Sequence, residues 1–371
     1  MNKCKSFVFF MQNFYGGGAE KVIVNLANEL FRLGHPITIV VNDNNGPYFH
    51  DVANGIGIVE LKKKRLIFGV LKLYQLLAKI QPDYFLSTLD MPNVINGIIA
   101  LMNSFTGKLN CKFIAREANT ISSYSWLDNS GLLIKIYARK YLYKKINLVI
   151  ANSPDTKEEI VKKLSLSAHD VVAIGNPVLK VIDIPAMQDD FCTNTASTEY
   201  KLITVGRLER QKNLFFLLDV IKKMSLKYNV TLDIYGVGSL EVELKKYVEK
   251  LGLNNIVSFE GFHDDVCKRY SQYDAFILTS LWEGFGNVYV EALSGGIPII
   301  TTDSKGGARY IINDSDIGSI CPFDVDNIVD SVVFEISKNT KEKREKRFSR
   351  AGDFTVDNIA KQYRRVCYGV E

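Results

Sequence analysis

Two glutamates, Glu283 and Glu291, flank a glycine-containing loop in the stretch EGFGNVYVEALSGGIPII. The loop follows an apolar run and precedes a helical pattern, which predicts a helix N-terminus with Asn287 as its cap. Such an end presents unpaired N–H groups and a positive dipole, which suit phosphates and sugar hydroxyls. Gly284 and Gly286 let a ligand approach the backbone closely. We expect the two carboxylates to bracket an extended ligand with hydroxyls at both ends, such as a nucleotide sugar.

Two basic residues, Arg207 and Lys212, stand upstream in the stretch VGRLERQKN, directly after a predicted strand. A fixed guanidinium fork and a mobile ammonium can hold a diphosphate and stabilise the charge that builds on it as it leaves. Taken singly, these residues and the two glutamates could be solvated surface charges. We favour the binding interpretation because both pairs occur beside glycine loops and in register with each other.

Strand-like runs alternate with helical patterns along the chain, which is typical of parallel sheets covered by helices on both faces. The alternation begins with SFVFFM, passes through the glycine loop YGGGAE, and stops in a polar stretch rich in Ser and Thr before it restarts at KLITVG. This pattern predicts two Rossmann-like domains. We expect an N-terminal domain at residues 1–180, a linker at 181–200, a second domain at 201–355, and a final helix at 356–371 that packs back on the first domain.

These motifs carry a family resemblance. The E-x7-E spacing with its internal G-F-G resembles the signature of the family 4 retaining glycosyltransferases, and VGRLERQKN is similar to their G-R-x4-K-[GN] segment. The resemblance implies the GT-B fold, an α/β architecture of two Rossmann-like domains facing a central cleft. It implies a catalytic set and a donor-binding set. The catalytic set is Arg207, Lys212, Glu283 and Glu117; the donor-binding set is Gly16, Gly17, Gly18, Gly206, Phe262, His263, Gly284, Phe285, Gly286, Asn287 and Glu291.

The chain departs from the family pattern at two places. Many members carry a histidine after the fourth strand of the first domain, where this chain reads IAREAN. Glu117 is a candidate to replace that histidine, and Arg116 and Asn119 are acceptor-side candidates. In the loop TDSKGGARYII, Ala308 and Tyr310 stand at the family's Pro and Glu positions, so this loop says little about the substrate.

The resemblance implies an enzyme that moves a hexose or N-acetylhexosamine, with retention, from a nucleotide-diphosphate sugar to a glycan or a polyprenyl-diphosphate-linked glycan. A UDP-sugar is the expected donor and co-substrate, with no other cofactor and no nucleic acid. Cell-surface polysaccharide or glycolipid synthesis is the expected setting. A sugar-nucleotide epimerase of the same fold and a non-catalytic nucleotide-sugar-binding subunit remain as alternatives. A dehydrogenase is disfavoured, because no G-x-G-x-x-G loop with a following acidic residue is present.

Length and composition limit the number of domains, the cellular setting and the kinds of site that the chain can have. The 371 residues exceed the roughly 250–300 that one core holds, and six scattered cysteines without a C-x-x-C pair argue for a reducing, cytoplasmic setting. Two Asp-x-Asp pairs in loop-like segments read as turn residues and the histidines lack metal-ligand spacing, so we expect no metal.

The basic residues are unevenly distributed. Through Asp183 the chain holds 22 Lys and Arg against 14 Asp and Glu. The segment Leu132–Asn147 mixes basic, aromatic and aliphatic residues, and Lys62–Arg65 adds a second basic run. This pattern suits either an anionic membrane surface or a helix with one core face and one solvated face. With a lipid-linked acceptor, we favour a peripheral enzyme on the inner face of the cytoplasmic membrane.

Overall fold

The computed structural model describes residues 4–15, 17–119, 132–180, 199–263 and 265–368. The chain divides into two compact units. Unit 1 comprises Met1–Lys180 and Val356–Glu371, and unit 2 comprises Val181–Thr355. Residues 181–198 of the expected linker lie outside the described residues. Each unit is an α/β domain with one parallel sheet, which confirms the predicted fold class.

Unit 1 holds a seven-stranded sheet in the order β3-β2-β1-β4-β5-β6-β7, with every neighbouring pair parallel. The strands are β1 (Phe7–Phe10), β2 (Ile37–Val41), β3 (Gly57–Glu60), β4 (Tyr84–Thr88), β5 (Lys112–Glu117), β6 (Leu148–Ala151) and β7 (Val171–Ala173). The helices are α1 (Gly18–Arg32), α2 (Val70–Ile80), α3 (Asp90–Thr106), α4 (Leu132–Tyr143) and α5 (Pro154–Leu164). The last helix of the chain, α12 (Val356–Tyr368), also belongs to this unit.

Unit 2 holds a six-stranded sheet in the order β10-β9-β8-β11-β12-β13, again parallel throughout. The strands are β8 (Glu199–Val205), β9 (Asn229–Tyr235), β10 (Val257–Gly261), β11 (Ala275–Leu278), β12 (Ile299–Thr302) and β13 (Gly318–Cys321). The helices are α6 (Leu214–Ser225), α7 (Glu241–Leu251), α8 (Asn287–Ser294), α9 (Ala308–Ile311), α10 (Val325–Ser337) and α11 (Lys341–Gly352).

The central strands are buried on both faces, as their near-continuous apolar sequences predict. In β1, Val8 and Phe10 join a core with α2 and α3 residues such as Leu73 and Ile99. Phe7, on the opposite face of the same strand, stacks on Tyr84 with ring centroids 4.8 Å apart. That second face is covered by α1 and α12. Both faces of β1 therefore need helices, and the final helix supplies part of the cover.

None of the helices in the described part of the chain is both long enough and apolar enough to cross a bilayer.

A buried arginine ties α11 to unit 2. Arg347 is fully buried; its Nη1 donates to the carbonyl oxygen of Gly296 at 3.2 Å and to Oδ1 of Asn339 at 2.6 Å, and its Nε donates to the carbonyl oxygen of Ile317 at 3.2 Å. Burial lowers the pKa of this guanidinium to about 10, so it stays charged at neutral pH. The hydrogen bonds offset the desolvation of a charge that could not otherwise remain inside.

We expect Arg347→Met to lower the free energy of unfolding of unit 2 by about 3 kcal/mol, because it leaves buried carbonyl oxygens without donors. Urea denaturation of the full chain measures this. Lys346→Met is the matched control, since Lys346 lies on the same helix with a 55% exposed side chain paired to Asp316. The control should cost less than about 1 kcal/mol. Equal losses in the two variants would contradict the structural role of Arg347.

Candidate active site

The donor-side residues predicted from the sequence lie at the carboxyl edge of the unit 2 sheet. Arg207 follows β8 and Glu283 follows β11, and these two strands are neighbours. From β8 the chain proceeds to β9 on one side, and from β11 it proceeds to β12 on the other. Such a reversal is a topological switch point, where diverging loops leave a crevice for a ligand. Arg207 and Glu283 therefore lie where an open parallel sheet binds its ligand.

Lys212 and Glu283 form a buried ion pair at this switch point. Nζ of Lys212 lies 2.6 Å from Oε1 of Glu283, and the hydroxyl of Ser280 donates to the same oxygen at 2.6 Å. Lys212 is 9% exposed and Glu283 is 6% exposed. A buried ammonium and a buried carboxylate each require a partner, so each side chain fixes the position of the other. The pair thus joins the loops that follow β8 and β11.

Gly206 leaves the space that Lys212 occupies. A Cβ on Gly206 would lie 2.7 Å from Cε of Lys212. The turn after β9 closes on the same loop, since Gly236 has φ +131° and a Cβ there would lie 2.0 Å from the carbonyl oxygen of Gly206. Gly236 therefore requires glycine because a side chain there would meet backbone, whereas a side chain at Gly206 would displace Lys212 from its place beside Glu283.

Arg207 is exposed at the start of this loop. Within the described ranges its guanidinium makes no hydrogen bond and no ion pair. The neighbouring Glu209 accepts hydrogen bonds from the N–H of Ser239 at 3.0 Å and from its hydroxyl at 2.9 Å. These bonds, with a smaller contribution from the charge of Arg207, lower the pKa of Glu209. The turn at residues 236–239 thus braces the loop that presents Arg207.

The loop after β11 differs from the sequence-based prediction in one detail. The N-cap of α8 is Gly286, and Asn287 is the first helical residue. Gly286 has φ +81°, and a Cβ there would lie 2.5 Å from the ring of Tyr289. The prediction of Asn287 as the cap was wrong because the turn requires a left-handed residue pressed against a ring, and only glycine fits there without strain.

A glycine pair that the sequence analysis did not single out holds this loop from behind. The N–H of Gly307 donates to the carbonyl oxygen of Gly284 at 3.0 Å, and the N–H of Glu283 donates to the carbonyl oxygen of Lys305 at 3.1 Å. A Cβ on Gly306 would lie 1.9 Å from the carbonyl oxygen of Glu283. The sequence signal that could have identified this pair was a double glycine in the loop that follows a buried strand. Loops at the carboxyl ends of neighbouring parallel strands meet, so such a loop is expected to contact the one that holds Glu283.

The side chain of Phe285 packs inward. It is 3% exposed, and its ring lies edge-on to Phe354 at 5.4 Å and to Tyr310 at 6.3 Å between centroids. The guanidinium of Arg350 lies over both of these partner rings, 4.8 Å from Phe354 and 5.3 Å from Tyr310. Tyr310, one of the departures from the family pattern, therefore supports the donor loop through ring packing. Phe285 offers a ligand its backbone rather than its side chain.

The remaining donor-side candidates lie at the same sheet edge. Glu291 is half-buried on α8, and the hydroxyl of Tyr270 donates to its Oε2 at 3.5 Å. Phe262 follows β10 and is 70% exposed. The ring of His263 lies edge-on to Tyr235 at 5.5 Å, and its Nε2 is 3.1 Å from the carbonyl oxygen of Glu260. Phe262 is thus open to a ligand, whereas His263 is held beside the strand end.

The glycine loop of unit 1 also lies at a switch point, because β1 and β4 are neighbours whose following connections diverge. Gly17 is the N-cap of α1 and Gly18 is its first residue. A Cβ on Gly17 would lie 2.2 Å from a carboxylate oxygen of Glu20. Gly16 lies outside the described residues. The stretch YGGGAE therefore contains a helix N-terminus that follows β1 in the chain.

The three acceptor-side candidates lie at the end of β5. Glu117 is fully buried, and Arg116 is 1% exposed. Nη1 of Arg116 donates to the hydroxyl oxygen of Thr88 at 3.0 Å, and Nη2 donates to Oδ1 of Asn176 at 2.5 Å. Asn119 is half-buried, and residues 120–131 beyond it lie outside the described ranges.

The Asp-x-Asp pairs have structural partners. Oδ1 of Asp314 accepts from the N–H of Asp316 at 2.8 Å and closes a turn, and Oδ1 of Asp324 accepts from the N–H of Asn327 at 2.9 Å and caps α10. Within the described part of the chain, no group of three or more His, Cys, Asp or Glu side chains could hold a metal ion.

Two family models match the chain. Residues 16–178 match the model described as Glycosyltransferase Family 4, and residues 188–353 match the model described as Glycosyl transferases group 1. The first therefore lies in unit 1, and the second covers most of unit 2. Together they leave only short segments unmatched, and they occur in the order that the sequence motifs predicted.

Individual relatives extend over nearly the whole chain. A Campylobacter jejuni enzyme, N-acetylgalactosamine-N,N'-diacetylbacillosaminyl-diphospho-undecaprenol 4-alpha-N-acetylgalactosaminyltransferase, is 27% identical over 368 residues, 95% of this chain and 96% of that protein. The Escherichia coli O-antigen biosynthesis glycosyltransferase WbnH is 24% identical over 359 residues, again 95% and 96%. Anabaena Alr3699/HepE in complex with UDP-glucose has a TM-score of 0.78 at 19% identity, covering 99% of this chain and 100% of that one. This structural likeness confirms the GT-B fold. The chain is therefore a glycosyltransferase and belongs to the family that these two domain models describe.

Proposed function

We propose that this glycosyltransferase moves a hexose or N-acetylhexosamine from a UDP-sugar to a polyprenyl-diphosphate-linked glycan, with retention of anomeric configuration. The observation that carries the proposal is the buried Lys212–Glu283 pair at the switch point of unit 2, with the exposed Arg207 beside it. Two cations and a carboxylate thus lie at the edge where open parallel sheets bind their ligands, which supports the proposal of a sugar-diphosphate site there.

The cations act on the leaving group. The ammonium of Lys212 donates one N–H to Glu283, which leaves its other N–H groups for a phosphate oxygen. Arg207 adds a guanidinium that forms a two-pronged contact with phosphate. Both charges are in place before the reaction, so they stabilise the diphosphate as negative charge builds on it. No metal ion is needed in this scheme.

The carboxylates orient the donor. Glu283, fixed through Lys212 and Ser280, accepts hydrogen bonds from hexose hydroxyls. Glu291 lies on α8 beyond the loop and accepts from the ribose hydroxyls. The backbone of Gly284 and Phe285 lies between the two carboxylates. A nucleotide sugar has this extended shape, with hydroxyls at both ends and charge between them.

The reaction proceeds on one face of the sugar. The acceptor hydroxyl forms a bond to the anomeric carbon as the bond to the diphosphate breaks on the same face. The departing phosphate oxygen takes the proton of that hydroxyl, so no enzymic nucleophile is required. Retention follows because the new bond replaces the old one on the same side.

The acceptor class rests on the near full-length similarity to the Campylobacter jejuni enzyme, whose name specifies a diphospho-undecaprenol-linked acceptor. The UDP donor is suggested by a protein of the same fold that binds UDP-glucose. An anionic membrane surface fits the end of α4 and the residues after it, where Tyr137, Tyr141, Lys144 and Lys145 are exposed. We place the enzyme at the inner face of the cytoplasmic membrane, in cell-surface glycan synthesis.

We expect UDP to raise the melting temperature of the purified protein, because a ligand that binds only the native state stabilises it. At a UDP concentration about a hundred times Kd the gain is about 2.7 kcal/mol. GDP, ADP and NAD are the comparison ligands in the same thermal-shift titration. A shift with GDP or ADP alone would change the donor, and a shift with NAD alone would overturn the proposal.

Glu283→Gln should lower kcat for sugar transfer by about a hundredfold or more, since removal of one oriented group at the reacting centre has effects of this size. The UDP thermal shift should persist, because Lys212 and Arg207 remain. Glu243→Gln, on the exposed first turn of α7, is the control and should leave kcat unchanged. Product analysis without acceptor separates transfer from epimerisation, since an epimerase would convert the UDP-sugar alone. Full transfer by Glu283→Gln would remove this residue from the mechanism.

Replacing Lys144 and Lys145 by Gln should weaken binding to phosphatidylglycerol vesicles by about thirtyfold at low salt, at about 1 kcal/mol for each lysine near the surface. The control replaces Lys246 and Lys250, two exposed lysines of unit 2. Vesicle sedimentation across a salt series measures both. Equal weakening by the two pairs would show that binding follows net charge and not this surface.

A further inference from the structure

The side chain of Glu117 is buried, which raises the question of which other side chain of unit 1 contacts the acceptor. Its side chain is 0% exposed. Its Oε1 accepts from Nδ2 of Asn93 at 3.0 Å, from Nη2 of Arg139 at 2.6 Å and from the hydroxyl of Tyr143. Its Oε2 is buried and has no hydrogen-bond partner among the described residues. A carboxylate enclosed in this way cannot touch a sugar that binds at the surface of the unit.

The network leads outward through Arg139. Its Nη2 holds Glu117, while its Nη1 donates to Oδ1 of Asp90 at 2.7 Å. Exposure rises along this path, from 0% for Glu117 to 10% for Arg139 and 40% for the side chain of Asp90. The rigid guanidinium fork therefore links a fully buried carboxylate to one that contacts solvent.

Asp90 lies at the switch point of the unit 1 sheet. It is the first residue of α3, and one residue, Leu89, separates it from the end of β4. Its strand neighbours β1, which leads into the glycine loop. Leu89, between strand and helix, has φ +74°, a conformation that is uncommon outside glycine and is seen where function fixes the backbone. Open parallel sheets bind ligands at this place.

We infer that Asp90 is the acceptor-binding carboxylate of unit 1, and that Arg139 and Glu117 are positioning residues that hold it. This inference rests on the proposed glycosyl transfer. Asp90 accepts a hydrogen bond from a hydroxyl of the acceptor glycan. The three groups carry two negative charges and one positive charge, so the cluster favours a hydroxyl donor and disfavours the diphosphate of a lipid-linked acceptor.

In this inference, the buried ion pair between Arg139 and Glu117 serves to orient Asp90. Removing Arg139 and Glu117 from water costs free energy that an apolar pair of similar volume would not incur. What the ion pair provides is direction: Arg139 is fixed by Glu117 and by its contact with the ring of Tyr143, 5.2 Å from its guanidinium carbon. Asp90 is therefore held in one orientation before the acceptor arrives.

The test compares Asp90→Asn with Asp83→Asn in the full-length enzyme. Asp83 directly precedes the same strand at its opposite end, its side chain is 35% exposed, and it is also ion-paired, to Lys5 at 2.8 Å. The donor is whichever of UDP-glucose, UDP-galactose and the two corresponding UDP-N-acetylhexosamines the wild type hydrolyses fastest. The acceptor is the diphospho-undecaprenol-linked disaccharide that the name of the Campylobacter jejuni relative specifies.

We expect Asp90→Asn to raise the KM for the acceptor about tenfold or more, the loss typical of a hydrogen bond to a charged group. Donor hydrolysis in the absence of acceptor and the UDP thermal shift should stay within twofold of wild type. Asp83→Asn should leave all three quantities unchanged. An acceptor KM within twofold of wild type for Asp90→Asn, or an equal fall in donor hydrolysis, would overturn the inference while leaving the proposed function intact.

The positioning role of Arg139 is tested by a separate variant. Arg139→Lys keeps the charge but loses the fork, so it should also raise the acceptor KM without changing donor hydrolysis. Combined with Asp90→Asn it should add nothing further, because both changes remove the same contact. Additive effects would overturn the positioning role. A wild type that neither hydrolyses donor nor transfers sugar would overturn the proposed function, and the inference with it.

Discussion

The ion pair between Lys212 and Glu283 is the constraint on which the donor side of this molecule depends. It joins two loops that are far apart in the sequence, and both partners lie almost entirely out of water. Gly206 leaves the space that the Lys212 side chain occupies, and the loop of Glu283 is held by the backbone of Lys305 and Gly307. The glycines around it are therefore required by packing.

A similar arrangement recurs in unit 1, considered by itself. There a buried glutamate, Glu117, holds Arg139, and Arg139 holds Asp90 at the surface. In each unit a buried carboxylate–cation pair lies at the carboxyl edge of a parallel sheet, next to the strands where the chain order reverses. Burial makes such pairs costly, so they are kept where a fixed orientation matters more than stability. This is the physical reason to assign both clusters to ligand binding.

Much of the fold could be predicted from the sequence because the central strands are short apolar runs. The apolar run SFVFFM contains β1, and the two-domain fold and family were confirmed. The strands β3, β7 and β13 were not predicted. They are edge strands of three or four residues that pair on one side only, so they carry no long apolar run.

The candidate site was predictable in part. Arg207 and Glu283 stand in the loops that follow β8 and β11, so their place at the sheet edge follows from the chain order. The contact between Lys212 and Glu283 spans 71 residues, and those that join Arg139 to Glu117 and Asp90 span 22 and 49. Such contacts depend on which strands are neighbours, which one sequence does not state. The roles assigned to the site residues stay predictions.

The most direct test of the account is proton NMR of the sugar product during the reaction, with the UDP-sugar and lipid-linked acceptor that support turnover. Front-face displacement predicts that the new glycosidic bond has the anomeric configuration of the donor. A product of inverted configuration would contradict the account, because it would require an attacking hydroxyl on the face opposite the diphosphate.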